Sequence, residues 1–172
     1  NPETAAVWED LMPLLEADEI VTLSPPGFGA PVPEGFGAST AEYVGWLIGE
    51  LQQIAGPIDL VGHDWGAGHV MGAVNVAPAL VRSWASDIAG AMDPDYVWHE
   101  MAQAWQTPDV GEAAVAQMVN APLEARAGIF IANGARPELA AKLAAGIDAE
   151  MGRCVLPLYR SAAQPAIAEF GA

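Results

Sequence analysis

The sequence predicts an α/β fold: part of a doubly wound parallel sheet, followed by a helical appendage. Short apolar segments alternate with helical ones in the order strand, helix, strand, helix, strand up to residue 92, with short connections. That order favours parallel strands joined by right-handed crossovers. After Asp93-Pro94 the composition shifts to Ala, Met, Gln and Glu, and no further strand can be read. A length of 172 residues suits one domain, or one domain with a sizeable insertion, and is enough to bury a core. The chain therefore divides into a sheet-bearing part, 1–92, and a helical part, 93–172.

Each element has a local reason. Val7 to Glu16 sets Trp8, Leu11, Leu14 and Leu15 at helical spacing with acids between them, which predicts a surface helix. Glu19 to Leu23 is short and β-branched and runs into SPPGFGAPVPEGFG, where dense Gly and Pro stop either regular structure. Ser39-Thr40-Ala41-Glu42 is a capping box ahead of an amphipathic helix to Ile54, which Gly56-Pro57 ends. Ile58 to Val61 predicts a strand entering GHDWGAG, followed by a helix from His69 to Val76 and a third strand over Ser83 to Ile88. The helical part predicts helices over Asp95 to Trp105, Glu112 to Val119, Pro122 to Asn133 and Pro137 to Gly152, and a last one broken by Pro157 and Pro165.

Composition excludes several function classes. Hydrophobic residues make up 52% and charged residues 16%, with a formal net charge of −16 and Lys142 as the only lysine. No basic face can track a phosphate backbone, so nucleic acid and anionic membrane are poor partners. The longest uncharged stretch near the middle, Trp65 to Val81, is interrupted by Gly, His, Asn and Pro and does not read as a membrane span. One cysteine, Cys154, cannot form an internal disulfide, and no Cys/His spacing resembles a zinc site; a reducing cytoplasm is the expected location.

The chemistry is carried by Gly62-His63-Asp64-Trp65-Gly66. A glycine-flanked pentapeptide between a strand and a helix is the setting of a nucleophile elbow, where the turn is strained and strand and helix pass too close for a Cβ. Asp64 stands where the general pattern has Ser. A carboxylate with an ordinary pKa of about 3.9 is ionised at neutral pH and needs no base to act as a nucleophile. Its attack on a saturated carbon bearing a leaving group gives an alkyl ester that activated water can hydrolyse, which points to an alkyl halide or an epoxide. The Trp65 backbone N–H is placed to stabilise the carboxylate and a later oxyanion, and its indole N–H is a donor for a departing halide.

GHDWG resembles the elbow of the α/β-hydrolase superfamily, in its haloalkane dehalogenase and epoxide hydrolase branch. Asn1-Pro2 with Trp8 resembles the tail of an HGNP-type loop, and SPPGFG resembles the D-x-x-G-x-G loop with Ser24 replacing the Asp. The helical part resembles the lid inserted after the sixth strand. The resemblance implies a partial α/β-hydrolase core over 1–92 and a lid over 93–172, Asp64 as nucleophile, and the Trp65 backbone as oxyanion donor. It also implies the Trp65 indole and Asn1 as halide donors, or Tyr96 and Tyr159 as lid contacts to an opening epoxide. No metal or organic cofactor is implied; the reactants are a small apolar organic substrate and water.

Plainer readings stand beside these. Asp64 is also a good helix N-cap, Trp65 a good core residue, and Asn1 a chain end. Trp98, Met101 and Trp105 share a helical face that fits either a pocket lining or an ordinary apolar contact. His63, His69 and His99 do not follow a late strand, so structural roles are expected of them, and Cys154 reads as a small buried hydrophobe. Asp93-Pro94-Asp95 reads as a turn. The family's water-activating His is not found here, and Asp87 lies beside the place where the resemblance implies an acid, which falls on Ile88. The sequence accordingly reads as an internal fragment of a longer enzyme, incomplete for turnover by itself, with a non-catalytic binding protein as the alternative.

Overall fold

The computed structural model describes residues 2–17, 19–88 and 90–170. A parallel two-stranded sheet is formed by β1 (Asp59–Gly62) and β2 (Ser83–Ser86), in the register Asp59↔Ser83 to Gly62↔Ser86. Between them runs α2 (Trp65–Val76), preceded in the chain by α1 (Thr40–Leu51). The helical half holds α3 (Glu100–Gln106), α4 (Val110–Asn120), α5 (Leu123–Ala132), α6 (Pro137–Ala145), α7 (Ala149–Ser161) and α8 (Ala166–Phe170).

The capping box forms as its spacing requires. Ser39 Oγ accepts from the Glu42 N–H, and the Glu42 carboxylate accepts from the Ser39 N–H at 3.0 Å, so two orphan donors at the start of α1 are satisfied. Val44, Leu47 and Leu51 of α1 meet Val70 and Ala73 of α2 in a small core, with Ile58 and Leu60 of the sheet side against it. The larger core lies in the helical half, around Trp105, Leu143, Met151, Val155, Leu158 and Tyr159, and reaches back to Phe28 and Tyr43. The two parts are joined there: Tyr43 Oη donates to the Pro26 carbonyl at 2.8 Å, and the Thr40 N–H donates to Ser161 Oγ at 2.9 Å.

Several sequence expectations are corrected. The segment Val7 to Glu16 is not an α-helix but two 3₁₀ turns, Ala5–Trp8 and Met12–Leu14. Pro13 lacks the N–H that a longer helix needs and its ring would meet the carbonyl four residues back. Glu19 to Leu23 forms no strand among the described residues, and Ile20 and Val21 are exposed. A strand exists only by pairing, and β propensity alone does not supply a partner. α2 packs against both strands, while Val61 on the opposite face is exposed, so a second helical layer over the sheet is not seen among the described residues.

The helix expected over Pro137 to Gly152 is two helices, because Asp148 caps α7 by accepting from the Met151 N–H at 2.8 Å. Pro157 lies inside α7 without ending it. The N-terminal half of the helix expected from Asp95 is irregular, since His99 Nδ1 accepts from the Ala102 N–H and caps α3 at a later start. No helix among the described residues is long and apolar enough to cross a membrane.

Candidate active site

The elbow is built at the C-terminal end of β1. Asp64 sits at φ 52°, ψ −123°, a conformation that costs a non-glycine residue about 1–3 kcal/mol. It persists because both sides hold it: its carbonyl accepts the Ala67 N–H at 3.0 Å to start α2, and β1 is locked by its register with β2. Gly62 is required sterically. A Cβ there would lie 2.4 Å from the Gly66 carbonyl oxygen and 2.7 Å from Val70 Cγ2.

The other glycines differ from expectation. A Cβ on Gly66 meets nothing within 4 Å, and one on Gly68 makes only ordinary contact with Trp65 at 3.8 Å. Gly66 therefore serves the turn through its carbonyl, which occupies the space that Gly62 leaves open. The close approach of strand and helix is one-sided.

Asp64 is a half-buried carboxylate whose Oδ1 accepts from the Trp65 N–H at 2.7 Å. Burial penalises its charged form, while that hydrogen bond and the adjacent His63 favour it. Over it lies an aromatic cluster. The Trp65 ring stacks on Trp98 at 5.9 Å and meets the edge of Tyr159 at 5.1 Å, and Tyr96 lies against Trp98 at 5.2 Å. Burial pushes the Tyr159 hydroxyl well above the usual phenol range and the nearby Asp64 charge adds to it, while the Trp65 indole N–H works against both. Trp98 Nε1 and Trp105 Nε1 are buried without a hydrogen-bond partner.

The structure thus brings Asp64, Trp65 and Tyr159 together and sets Tyr96 one ring further out. Asn1 lies outside the described residues. Trp98 and Trp105 turn inward, but Met101 is exposed, so the three do not form one lining face. His69 is 2% exposed and stacks on Tyr43 at 5.0 Å; burial pushes its imidazole down to about 4, so it is neutral at pH 7. His99 is a helix cap, Cys154 is buried, and Asp93 Oδ1 accepts the Asp95 N–H at 2.8 Å as a turn does.

Sequence reasoning missed the pairing around His63. Its Nδ1 meets the Asp87 carboxylate and its Nε2 lies 3.5 Å from Glu3, with the edge of Trp8 at 6.2 Å. Asp87 Oδ1 also accepts from the Asp64 N–H at 3.3 Å. The signal was the register: Gly62 pairs with Ser86, so the next residues along the two parallel strands are His63 and Asp87. Among the described residues no group of three or more His, Cys, Asp or Glu is gathered for a metal ion.

A strand that ends in a one-residue strained turn, presents a side chain at a helix N-terminus and leaves no room for a Cβ before it has the construction of a nucleophile elbow on an α/β scaffold. The chain belongs to the alpha/beta hydrolase family, which matches residues 2–170. No curated protein and no solved structure matches it. Membership carries hydrolase-fold function in general.

Proposed function

We propose that the protein is an α/β hydrolase with Asp64 as nucleophile, which opens a carbon–halogen or epoxide bond through a covalent alkyl ester. The observation that carries the reading is the Asp64 carboxylate at the apex of the strained turn, 2.7 Å from the Trp65 N–H and beneath an aromatic cluster. One carboxylate oxygen attacks the carbon, the bond to halide or epoxide oxygen breaks with its electron pair, and the ester is formed. The electrophilic carbon needs no charge on the substrate, which suits an apolar wall of Trp65, Trp98 and Tyr159. In the halide case the Trp65 indole N–H receives the leaving ion; in the epoxide case the Tyr159 hydroxyl, kept protonated by burial and by the Asp64 charge, donates its proton to the opening oxygen. Water added to the ester carbonyl would place an oxyanion near the Trp65 N–H. The helical half, 93–172, acts as the lid that brings these rings over the elbow.

The test is mass spectrometry of the protein after incubation with 1-bromobutane and, separately, styrene oxide. The expected result is an alkyl or hydroxyalkyl ester on the peptide holding Asp64, absent in Asp64→Asn. Failure of both probes to label Asp64, or equal labelling of Asp64→Asn, would overturn the reading.

A further inference from the structure

The elbow is strained, exposed at one side, and built at the end of a sheet of only two strands among the described residues, yet its backbone is held from a direction the nucleophile reading does not use. Asp87, the first residue after β2, accepts from the Asp64 N–H at 3.3 Å through one carboxylate oxygen and meets His63 Nδ1 with the other. His63 is in turn braced on its far side by Glu3 at 3.5 Å and by the edge of Trp8. Two separate segments, the N-terminal one and the end of β2, therefore converge on two consecutive residues of the turn.

We propose that Asp87 is a positioning residue for the elbow, holding the Asp64 backbone directly through its N–H and indirectly through the His63 imidazole. A residue at positive φ with a Cβ relaxes toward ordinary conformations unless its surroundings over-determine it. The Asp64 carbonyl is tied into α2, and its N–H donates to Asp87. A hydrogen bond to an ionised acceptor is roughly twice as strong as a neutral one, and the imidazole on the second oxygen fixes the carboxylate's orientation. This inference concerns backbone geometry and goes beyond the nucleophile reading; it holds or fails whether or not an ester forms on Asp64.

Amide hydrogen exchange on the whole chain tests it. Asp87→Ala is expected to speed exchange of the Asp64 amide about tenfold, while the amides of α5 and α6 keep their wild-type rates. Asp87→Asn, which retains an oxygen facing that N–H, restores part of the protection. His63→Ala raises the rate by a smaller factor, and the double variant His63→Ala/Asp87→Ala exchanges no faster than Asp87→Ala, because both act through one carboxylate. Wild-type exchange at Asp64 in a folded Asp87→Ala protein overturns the proposal, as does full additivity in the double variant. Should Asp87→Ala lose protection in α5 and α6 as well, His63→Ala decides: a local rise at Asp64 supports the clamp and an unchanged rate refutes it.

Discussion

Gly62 and Gly66 flank the same residue and look equivalent in sequence, yet an alanine at each should have opposite effects. At Gly62 the new methyl would sit 2.4 Å from the Gly66 carbonyl oxygen, 2.6 Å from its carbon and 2.7 Å from Val70 Cγ2. Two of those atoms are backbone in the first turn of α2, so relief requires moving the helix away from β1 or opening the turn at Asp64. Overpacking of this kind costs about 1–3 kcal/mol, and a clash with backbone belongs at the upper end. For a chain of this size, about 3 kcal/mol corresponds to a fall in Tm of roughly 6–12 °C. At Gly66, already helical and facing open space, alanine instead reduces the entropy lost on folding and stabilises by about 0.5 kcal/mol, a rise of roughly 1–2 °C. Thermal unfolding followed by circular dichroism reads both. A Gly62→Ala protein melting within about 1 °C of wild type, or a Gly66→Ala protein falling as far as Gly62→Ala, refutes the one-sided packing argument.

Stability should depend on pH through His69. Its folded pKa of about 4 lies below the ordinary value of 6.5, so the unfolded chain takes up a proton first; the stability is complete above about 6.5 and is lost progressively as pH falls toward 4. The full loss is on the order of 3 kcal/mol, and replacing His69 by Phe should flatten the slope of urea stability between pH 4 and 6.5, which an unchanged slope would contradict. Ser39→Ala removes the side-chain half of the capping box, the hydroxyl that accepts from the Glu42 N–H, and should lower stability by about 1 kcal/mol, or roughly 2–4 °C in Tm. Substituting Glu42 by Gln, which keeps the reach to the backbone, should cost less, and equal losses would argue against the box.

How much of this was legible in the sequence depends on how far apart the interacting groups lie in the chain. The capping box joins residues three apart, and the elbow is set within five residues, so both follow from local chemistry: a serine that accepts, a glutamate that reaches back, a glycine where a Cβ has no space. Proline shows where local chemistry stops being decisive. Pro13 and Pro157 carry the same penalty, about 3 kcal/mol inside a helix. Around Pro13 the neighbours Leu14 and Leu15 are exposed and the segment yields to 3₁₀ turns. Around Pro157 the burial of Val155, Leu158 and Tyr159, each contributing about 1.5–3 kcal/mol, outweighs the lost hydrogen bond, and α7 runs through.

The sequence by itself determined the α/β order of elements, the helical second half, and the position of Asp64 on a tight strand-to-helix turn, because each rests on periodicity or on contacts between near neighbours. The tertiary structure alone decided which aromatic rings cover the carboxylate and which acid meets His63. Tyr159 reaches Trp65 only through the docking of α7, and Asp87 reaches His63 only through the parallel register of β1 and β2. Neither relation leaves a mark in local sequence, since the closing of a long loop is stabilised by the packing of whole elements and not by the residues that end up in contact.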